Sequence, residues 1–516
     1  MNNSKRGIGL RHPFGEECCE AEVKILKELY SDYYFLEAPF NKDSLDSETY
    51  LIIGRRGSGK TSLAQYFTFQ KKLRRAKCID VDEPNIYYEV LSRVSKLAAT
   101  STEIAIPRIV QIWEFLVWSL IFGEYKNYST EIEAASYISP TKKGPAHLVK
   151  ELLKSIIRKF AGNDVDQLSD ELEDYLSSPV IEAAKKRVLE LTNRSPIIVA
   201  VDSLERYSVN DEAMMRSTAA LIQCASNFNI EHAINGIHVK AFISAEVFPH
   251  LCEAEISNTS KHVREEIYLH WRPKDLVRLV SWRFHKHLSK HSQLKSESMG
   301  EIDWNNFSEV LQKMWIPYFG EEITNGLGLR EKTFPYVIRH TQMRPRQIIK
   351  LLNKIAKRSH DNLNFPEFCE EAIVDSIRKA EKSLATEVIN SYSKAYENVG
   401  KIIDALSGVP ILFEGRLLDK RASKTASEWT KGHYSPSNFK QLVSELGIVG
   451  KVRSWDKRRK IIEADFEYAL EDRLPLLDDD LCVIHPMFIE KLRVNTTENQ
   501  VIVYPFPDHP DFDEVR

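Results

Sequence analysis

Cysteine is scarce here and shows no pairing pattern. Seven residues (Cys18, Cys19, Cys78, Cys224, Cys252, Cys369 and Cys482) are spread over 516 positions, with an odd total and no C-x-x-C. This argues against a disulfide framework and a zinc site, and for a reducing, cytoplasmic compartment. Net charge is also slight, −3 at pH 7, so the chain as a whole does not announce a nucleic-acid partner and only a local cluster could. No run of about 18 apolar residues occurs, so no membrane span is expected. The longest candidate, Ile109 to Phe122, is broken by Gln111 and Glu114 and predicts a buried amphipathic helix. Met1-Asn2-Asn3-Ser4-Lys5-Arg6 precedes no apolar h-region, so no signal peptide is expected. Internal repeats, low-complexity tracts and a base-selecting motif such as N-K-x-D are also lacking. Apolar residues make up 43% of the chain, enough for large cores, and the length suggests two or three domains.

What stands out is Gly54-Arg55-Arg56-Gly57-Ser58-Gly59-Lys60-Thr61. The apolar run Tyr50-Leu51-Ile52-Ile53 before it predicts a buried strand, and Ser62-Leu63-Ala64-Gln65-Tyr66-Phe67 after it predicts a helix. A G-x-x-x-x-G-K-[ST] pattern between strand and helix is the phosphate-binding loop. Glycines let the backbone curl so that its N–H groups face phosphate oxygens. The following helix turns its positive end to the same anion. Lys60 would reach the β- and γ-phosphates of ATP, and the Thr61 hydroxyl would hold Mg²⁺. A glycine-rich turn that binds nothing is the competing reading, and the strand–helix context weighs against it.

Further carboxylates and polar strand ends fit the same chemistry. Ser195-Pro196-Ile197-Ile198-Val199-Ala200-Val201-Asp202 predicts a parallel strand buried on both faces and ending in an acid. Asp202 then sits where open α/β sheets bind ligands and would hold Mg²⁺ through water. Alternatively it caps a helix. Hydrolysis usually wants a second carboxylate to orient water. Ser203 cannot serve, and Glu205 is the candidate base; otherwise Glu205 and Arg206 are a surface pair. Val239 to Glu246 predicts another buried strand, with Ser244 and Glu246 as γ-phosphate sensors or helix caps.

The segments outside the nucleotide region read as helical, with one hairpin. Glu17 to Tyr34 predicts an entry helix packed on the nucleotide domain. Glu266 to Trp271 predicts a short last strand, and Lys274 to His287 an amphipathic helix. Helical sequence is expected from Trp304 through Thr333 to Arg358, with Met343-Arg344-Pro345 as a helix start. Arg344 and Arg346 would reach back over the nucleotide, or are surface arginines. An acidic stretch near Asp164 to Tyr175 reads as a solvated helix face. Val399 to Leu406 and Ser437 to Glu445 predict helices, followed by paired strands around a charged tip at Ser454 to Arg459. That order suggests a winged helix. Residues 415–460 hold 12 Lys and Arg against 4 Asp and Glu, so a wing such as Trp455-Asp456-Lys457-Arg458-Arg459-Lys460 could grip DNA. A protein-contact role, or a merely soluble tip, are the other readings. Residues 498–516 are rich in Pro and Asp and predict a poorly packed tail.

Together these motifs resemble the P-loop ATPases of the AAA+ and STAND type over roughly residues 10–495. Asp202-Ser203-Leu204-Glu205-Arg206 resembles the Asp-Asp-Leu-Asp-Arg signature of bacterial KAP ATPases, with Ser203 and Glu205 as departures that bear on hydrolysis. Phe14-Gly15, Ala21-Glu22 and Gly54 to Lys60 resemble a group of bacterial P-loop ATPases, and Thr341-Gln342-Met343-Arg344-Pro345-Arg346 resembles that group's lid motif. Arg346 falls where origin-recognition-type ATPases place a lid arginine on the γ-phosphate. The resemblance implies an α/β fold: a P-loop NTPase parallel sheet with a helical lid and a C-terminal winged-helix domain. Its divisions would be an entry segment (1–49), nucleotide domain (50–288), lid (289–395), winged helix (396–497) and tail (498–516).

The expected activity is an ATP-binding and hydrolysing switch with slow turnover. Its cofactors would be ATP and Mg²⁺. Gly54, Arg55, Arg56, Gly57, Ser58, Gly59, Lys60, Thr61, Ser62, Ser244 and Arg346 would hold nucleotide. Lys60, Asp202 and Glu205 would carry the chemistry, with Thr61 and Asp202 on the metal. The resemblance further implies homo-oligomers with an arginine finger, Arg264 or Arg206, and a place in anti-phage defence beside a separate effector protein. No effector domain is recognisable in the chain. A DNA-binding ATPase of the loader kind and a non-hydrolysing nucleotide-bound scaffold are the alternatives.

Overall fold

Leu51–Gly54 is apolar throughout and needs cover on both faces. In the computed structural model it forms the interior strand β1, with every residue buried. The structure describes residues 12–46, 48–69, 77–81, 102–136, 174, 176–202, 211–254, 266–393, 395–430, 434–470, 473–497 and 500–507. The chain divides into two units, one formed by Pro39–Leu269 and the other by Met1–Ala38 with His270–Arg516.

The Pro39–Leu269 unit is an α/β structure around a parallel sheet. Its strands are β1, β2 (Lys77–Val81), β3 (Ile197–Val201), β4 (Ile237–Ser244) and β5 (Ile267–Tyr268). Their order is β2-β3-β4-β1-β5, and every neighbouring pair runs parallel. β3 and β4 are buried along their whole length, β3 as the continuous apolar run expected of a covered parallel strand and β4 with His238 and Lys240 buried within it. From β1 the chain crosses to the β2 edge, returns through β3 and β4, and passes β1 to reach β5. The change of direction falls beside β1, so its carboxyl end is the crevice where such sheets bind ligands.

Helices Lys60–Phe69, Thr102–Tyr125, Pro179–Thr192, Glu212–His232 and Phe248–Ala254 belong to this unit. The Thr102–Tyr125 helix corrects the amphipathic expectation. Ile112, Trp113, Phe115, Leu116, Val117 and Trp118 are all buried, so the helix is covered nearly all round. The Ile106–Tyr128 stretch is long and apolar enough to cross a membrane, yet it is mostly buried inside the unit, as a core helix is. It docks on Glu212–His232, where Trp113 Nε1 donates to the Ser217 carbonyl (3.0 Å) and Trp118 packs on Phe228. The acidic stretch 164–175 lies outside the described residues, except Asp174.

In the other unit the entry segment is a helix, Cys19–Leu26, broken at Lys27 (φ 51°) before a short turn, Tyr30–Tyr33. Its contacts run to the helix Pro273–Lys290, which falls largely within the expected bounds of the nucleotide domain (50–288) but belongs to this unit. Phe14 stacks on Phe284, and Glu22 forms a buried two-point ion pair with Arg283, both partners on the helix Pro273–Lys290. Phe14 N donates to Asn353 Oδ1 (3.2 Å), and Asn353 Nδ2 donates to the Gly15 carbonyl (2.9 Å), on the helix Pro345–Asp361.

The expected unbroken helical lid also contains a hairpin, β6 (Glu322–Thr324) and β7 (Arg330–Lys332). Asn325 Oδ1 accepts from Leu327 N and Leu329 N, building the turn that joins β6 to β7. The helix Glu370–Ser391 then leads to Val399–Asp404, β8 (Leu412–Glu414), Arg416–Ala422, Pro436–Glu445, β9 (Val449–Asp456) and β10 (Ile461–Asp465). Helices followed by a β9–β10 hairpin are the order expected of a winged helix. The hairpin is longer than predicted, so Ser454 to Asp456 lie in β9 and only Lys457 to Lys460 make the turn.

Two further strands complete a five-stranded sheet: β11 (Leu481–Ile484), inserted between β9 and β8, and β12 (Ile502–Tyr504). β12 corrects the expected loose tail. It pairs in parallel with β10, Ile502 and Val503 are buried, and the Tyr504 hydroxyl donates to Glu331 (3.1 Å).

A buried pair in this unit predicts a pH dependence. His340 Nδ1 and Glu381 Oε1 lie 2.7 Å apart. Burial pushes the Glu381 carboxyl up to about 8, with Arg339 pulling it down. Burial, then Arg339, holds His340 well below its ordinary value. Both partners are therefore neutral at pH 7. Folded Glu381 binds protons that its unfolded form, near 4.5, has already released. Its stabilising contribution is full below about pH 4.5 and is lost as pH rises through 8. Glu381→Gln should flatten the loss between pH 5 and 8 by a few kcal/mol, read from urea midpoints of wild type and variant.

Candidate functional site

β1 delivers Gly54 to the carboxyl edge of the sheet, and the loop that follows curls back on itself. Gly57 (φ 85°) and Gly59 (φ 107°) hold the left-handed conformations that glycine adopts without strain. A Cβ on Gly54 would lie 2.4 Å from Ser58 Oγ and 3.1 Å from Lys60 Cγ, so the first glycine is required by close approach. Ser58 N donates to the Arg55 carbonyl (3.0 Å), and Leu63 N to the Gly59 carbonyl (2.9 Å), which starts the helix at Lys60. The first helical N–H groups lie at the loop, where an anion is favoured. Lys60 is buried, and its Nζ donates to the carbonyls of Gly54 (2.8 Å) and Arg55 (3.5 Å), both neutral acceptors. Arg56 is exposed, while Arg55, Thr61 and Ser62 are half-buried.

β3 brings Asp202 to the same edge, with β4 between it and β1. The Thr61 hydroxyl donates to Asp202 Oδ2 at 2.8 Å, although 141 residues separate the two. A hydroxyl and a carboxylate at that distance are hard oxygen donors of the kind that suits Mg²⁺. The donor set therefore fits the metal that the motif implies, with Thr61 and Asp202 to hold it.

β4 supplies the third side. Ser244 lies in register with Gly54, and Ala245 N donates to the Gly54 carbonyl (3.2 Å). The Ser244 hydroxyl donates to Glu246 Oε2, and Glu246 Oε1 accepts from the backbone N–H of Arg56 (3.0 Å). Both side chains are buried. Sequence reading left Ser244 and Glu246 as sensors or caps; the link from Glu246 to the phosphate loop had no local signal in the sequence.

Glu205, Arg206 and Arg264 are outside the described residues. Arg344 is corrected: it is buried in the other unit and donates to Gln342 Oε1 (2.8 Å). Gln342 Nε2 in turn donates to the Leu446 carbonyl (2.7 Å), so this motif ties the start of the Pro345–Asp361 helix to the end of the Pro436–Glu445 helix. Arg346 belongs to that unit too, with Nε donating to the Glu17 carbonyl (3.1 Å).

Several cations of the basic window are engaged by carboxylates. The twenty residues after position 460 hold eight carboxylates against Arg473 alone, which cancels nearly all of the excess in 415–460. Lys440 pairs with Asp419 (3.1 Å) and Asp478, Lys451 with Asp480 (2.7 Å), and Arg453 with Asp465 and Glu463. Lys457, Arg458, Arg459 and Lys460 remain exposed at the turn, with Lys457 over the Trp455 ring.

No protein-family model matches the chain, and no curated protein matches it either. Among solved structures it is similar to the ORC2 protein of Aeropyrum pernix, described as ADPNP-ADP complexes. Identity is 11%, coverage 94% of this chain and 92% of that one, and the TM-score 0.32. At that level of similarity, function has to be argued from the site's own residues.

Proposed function

We propose that the chain is an ATP- and Mg²⁺-dependent switch of the AAA+/STAND type. The observation that carries this reading is the convergence of Lys60, Thr61 and Asp202 on one sheet edge, with Thr61 Oγ1 bonded to Asp202 Oδ2. The curled loop and the helix start would bind the phosphates, and the Lys60 ammonium would supply charge. Mg²⁺, when bound, would neutralise charge on the phosphate oxygens. Glu205 is the proposed base, and with Ser203 in place of a second acid, turnover is expected to be slow. Arg346 is the proposed lid arginine.

Oligomers with Arg264 or Arg206 as finger, a separate effector and a role in defence rest on sequence resemblance alone. The DNA-loader alternative rests on the exposed turn Lys457 to Lys460, since Lys440, Lys451 and Arg453 are engaged by carboxylates.

The test is Asp202→Asn. The variant should retain nucleotide binding without metal, while Mg²⁺-dependent tightening and turnover fall by roughly 100-fold or more. Calorimetric titration with and without Mg²⁺, beside a phosphate-release assay, reads both. Unchanged Mg²⁺-dependent turnover would overturn the assignment.

A further inference from the structure

We infer that His287 and His291 form a binding site for a divalent transition-metal ion, separate from the nucleotide site and independent of its reading. The two lie four residues apart at the C-terminal end of the helix Pro273–Lys290, His287 in its last turn and His291 as its C-cap. His291 N donates to the His287 carbonyl (3.2 Å), so the helical path carries through to His291. Residues so spaced share one face of a helix, one turn apart. Two imidazoles at that spacing are the helical chelate of the H-x-x-x-H kind.

The separation of the rings fits. An ion about 2.1 Å from one imidazole nitrogen lies about 3.2 Å from the ring's centre. Two rings meeting one ion at about 90–110° then have centres about 4.5–5.2 Å apart. The His287 and His291 centres are 4.6 Å apart. The donors are also available. His287 is half-buried and His291 exposed, and among the described residues neither ring has a hydrogen-bond partner. Burial, then the neighbouring His291, His360 and Lys290, holds the His287 pKa down at about 4, so at pH 7 its ring is neutral and has a lone pair to give. The negative end of the helix favours a cation here, against the opposing charge of Lys290.

Imidazole suits Zn²⁺, Cu²⁺ or Ni²⁺, whereas the Mg²⁺ implied by the phosphate loop seeks oxygen. The scarcity of cysteine speaks against a thiolate zinc site, and this pair needs no thiolate. His360, on the helix Pro345–Asp361, is stacked on Phe365 with ring centres 3.8 Å apart. Among the described residues no three His, Cys, Asp or Glu side chains group to hold an ion, so the chain supplies two ligands and water the rest.

The competing reading is two solvated histidines that bind nothing. The experiment is calorimetric titration of the full chain with ZnCl₂. His287→Gln and His291→Gln should each weaken one equivalent of Zn²⁺ at least about tenfold, while His360→Gln leaves it within about twofold. Excess MgCl₂ should not displace that equivalent. Zn²⁺ uptake unchanged in either of the first two variants, or lost to Mg²⁺, would overturn the inference. A second measurement needs no variant. Zn²⁺ should shield His287 and His291 of the wild type from diethyl pyrocarbonate, read by mass spectrometry of peptides. Equal labelling with and without Zn²⁺ would refute the site.

Discussion

Lys60→Ala removes nucleotide binding, with an expected loss of at least about 100-fold, or roughly 3 kcal/mol. The side chain is buried against the loop it serves. Nζ donates to the carbonyls of Gly54 and Arg55, neutral acceptors that hold the ammonium at the loop. Calorimetric titration with ATP checks the loss. A thermal melt of the same variant separates it from unfolding. Affinity within a few-fold of wild type would mean that the phosphates bind elsewhere.

Glu22→Ala destabilises the unit that contains it by about 3–5 kcal/mol. The Glu22 carboxylate accepts from Arg283 Nη1 (2.7 Å) and Nη2 (3.0 Å), and both residues are buried. Arginine cannot shed its proton, so removing the acid leaves an uncompensated buried charge. Gly15 is part of the same packing, because a Cβ there would lie 2.1 Å from Arg283 Nη1. Denaturant unfolding of Glu22→Ala measures the loss. The double variant Glu22→Gln/Arg283→Met should recover much of it, since burying two neutral groups costs less than burying one bare cation. No recovery would indicate that the carboxylate acts through other partners.

The phosphate loop was legible because its demands are local. Eight consecutive residues contain the glycines that take positive φ, the lysine and the hydroxyl. Asp202 was legible because a strand buried on both faces is a continuous apolar run, and an acid at its end stands out. Other features depend on distant partners. Glu246 meets the Arg56 N–H across 190 residues, and nothing in either segment announces it. Arg344 reads as a solvent-facing cation until Gln342 and the Leu446 carbonyl come to it. β6, β7 and β12 are three residues each, too short for alternation to show. Counting charge by sequence window also misled, because the carboxylates that neutralise Lys440 and Lys451 lie chiefly just beyond it.

The division of the chain fixes how the two units are joined. Residues 39–269 are an insertion within a body built from both flanking segments. Two covalent joints, at Ala38–Pro39 and Leu269–His270, therefore connect the nucleotide unit to the rest. The second follows β5 directly, where Leu269 N donates to the Ile53 carbonyl (2.8 Å), one residue before the loop begins. The joint thus lies one hydrogen bond and one residue from the start of the glycine-rich loop.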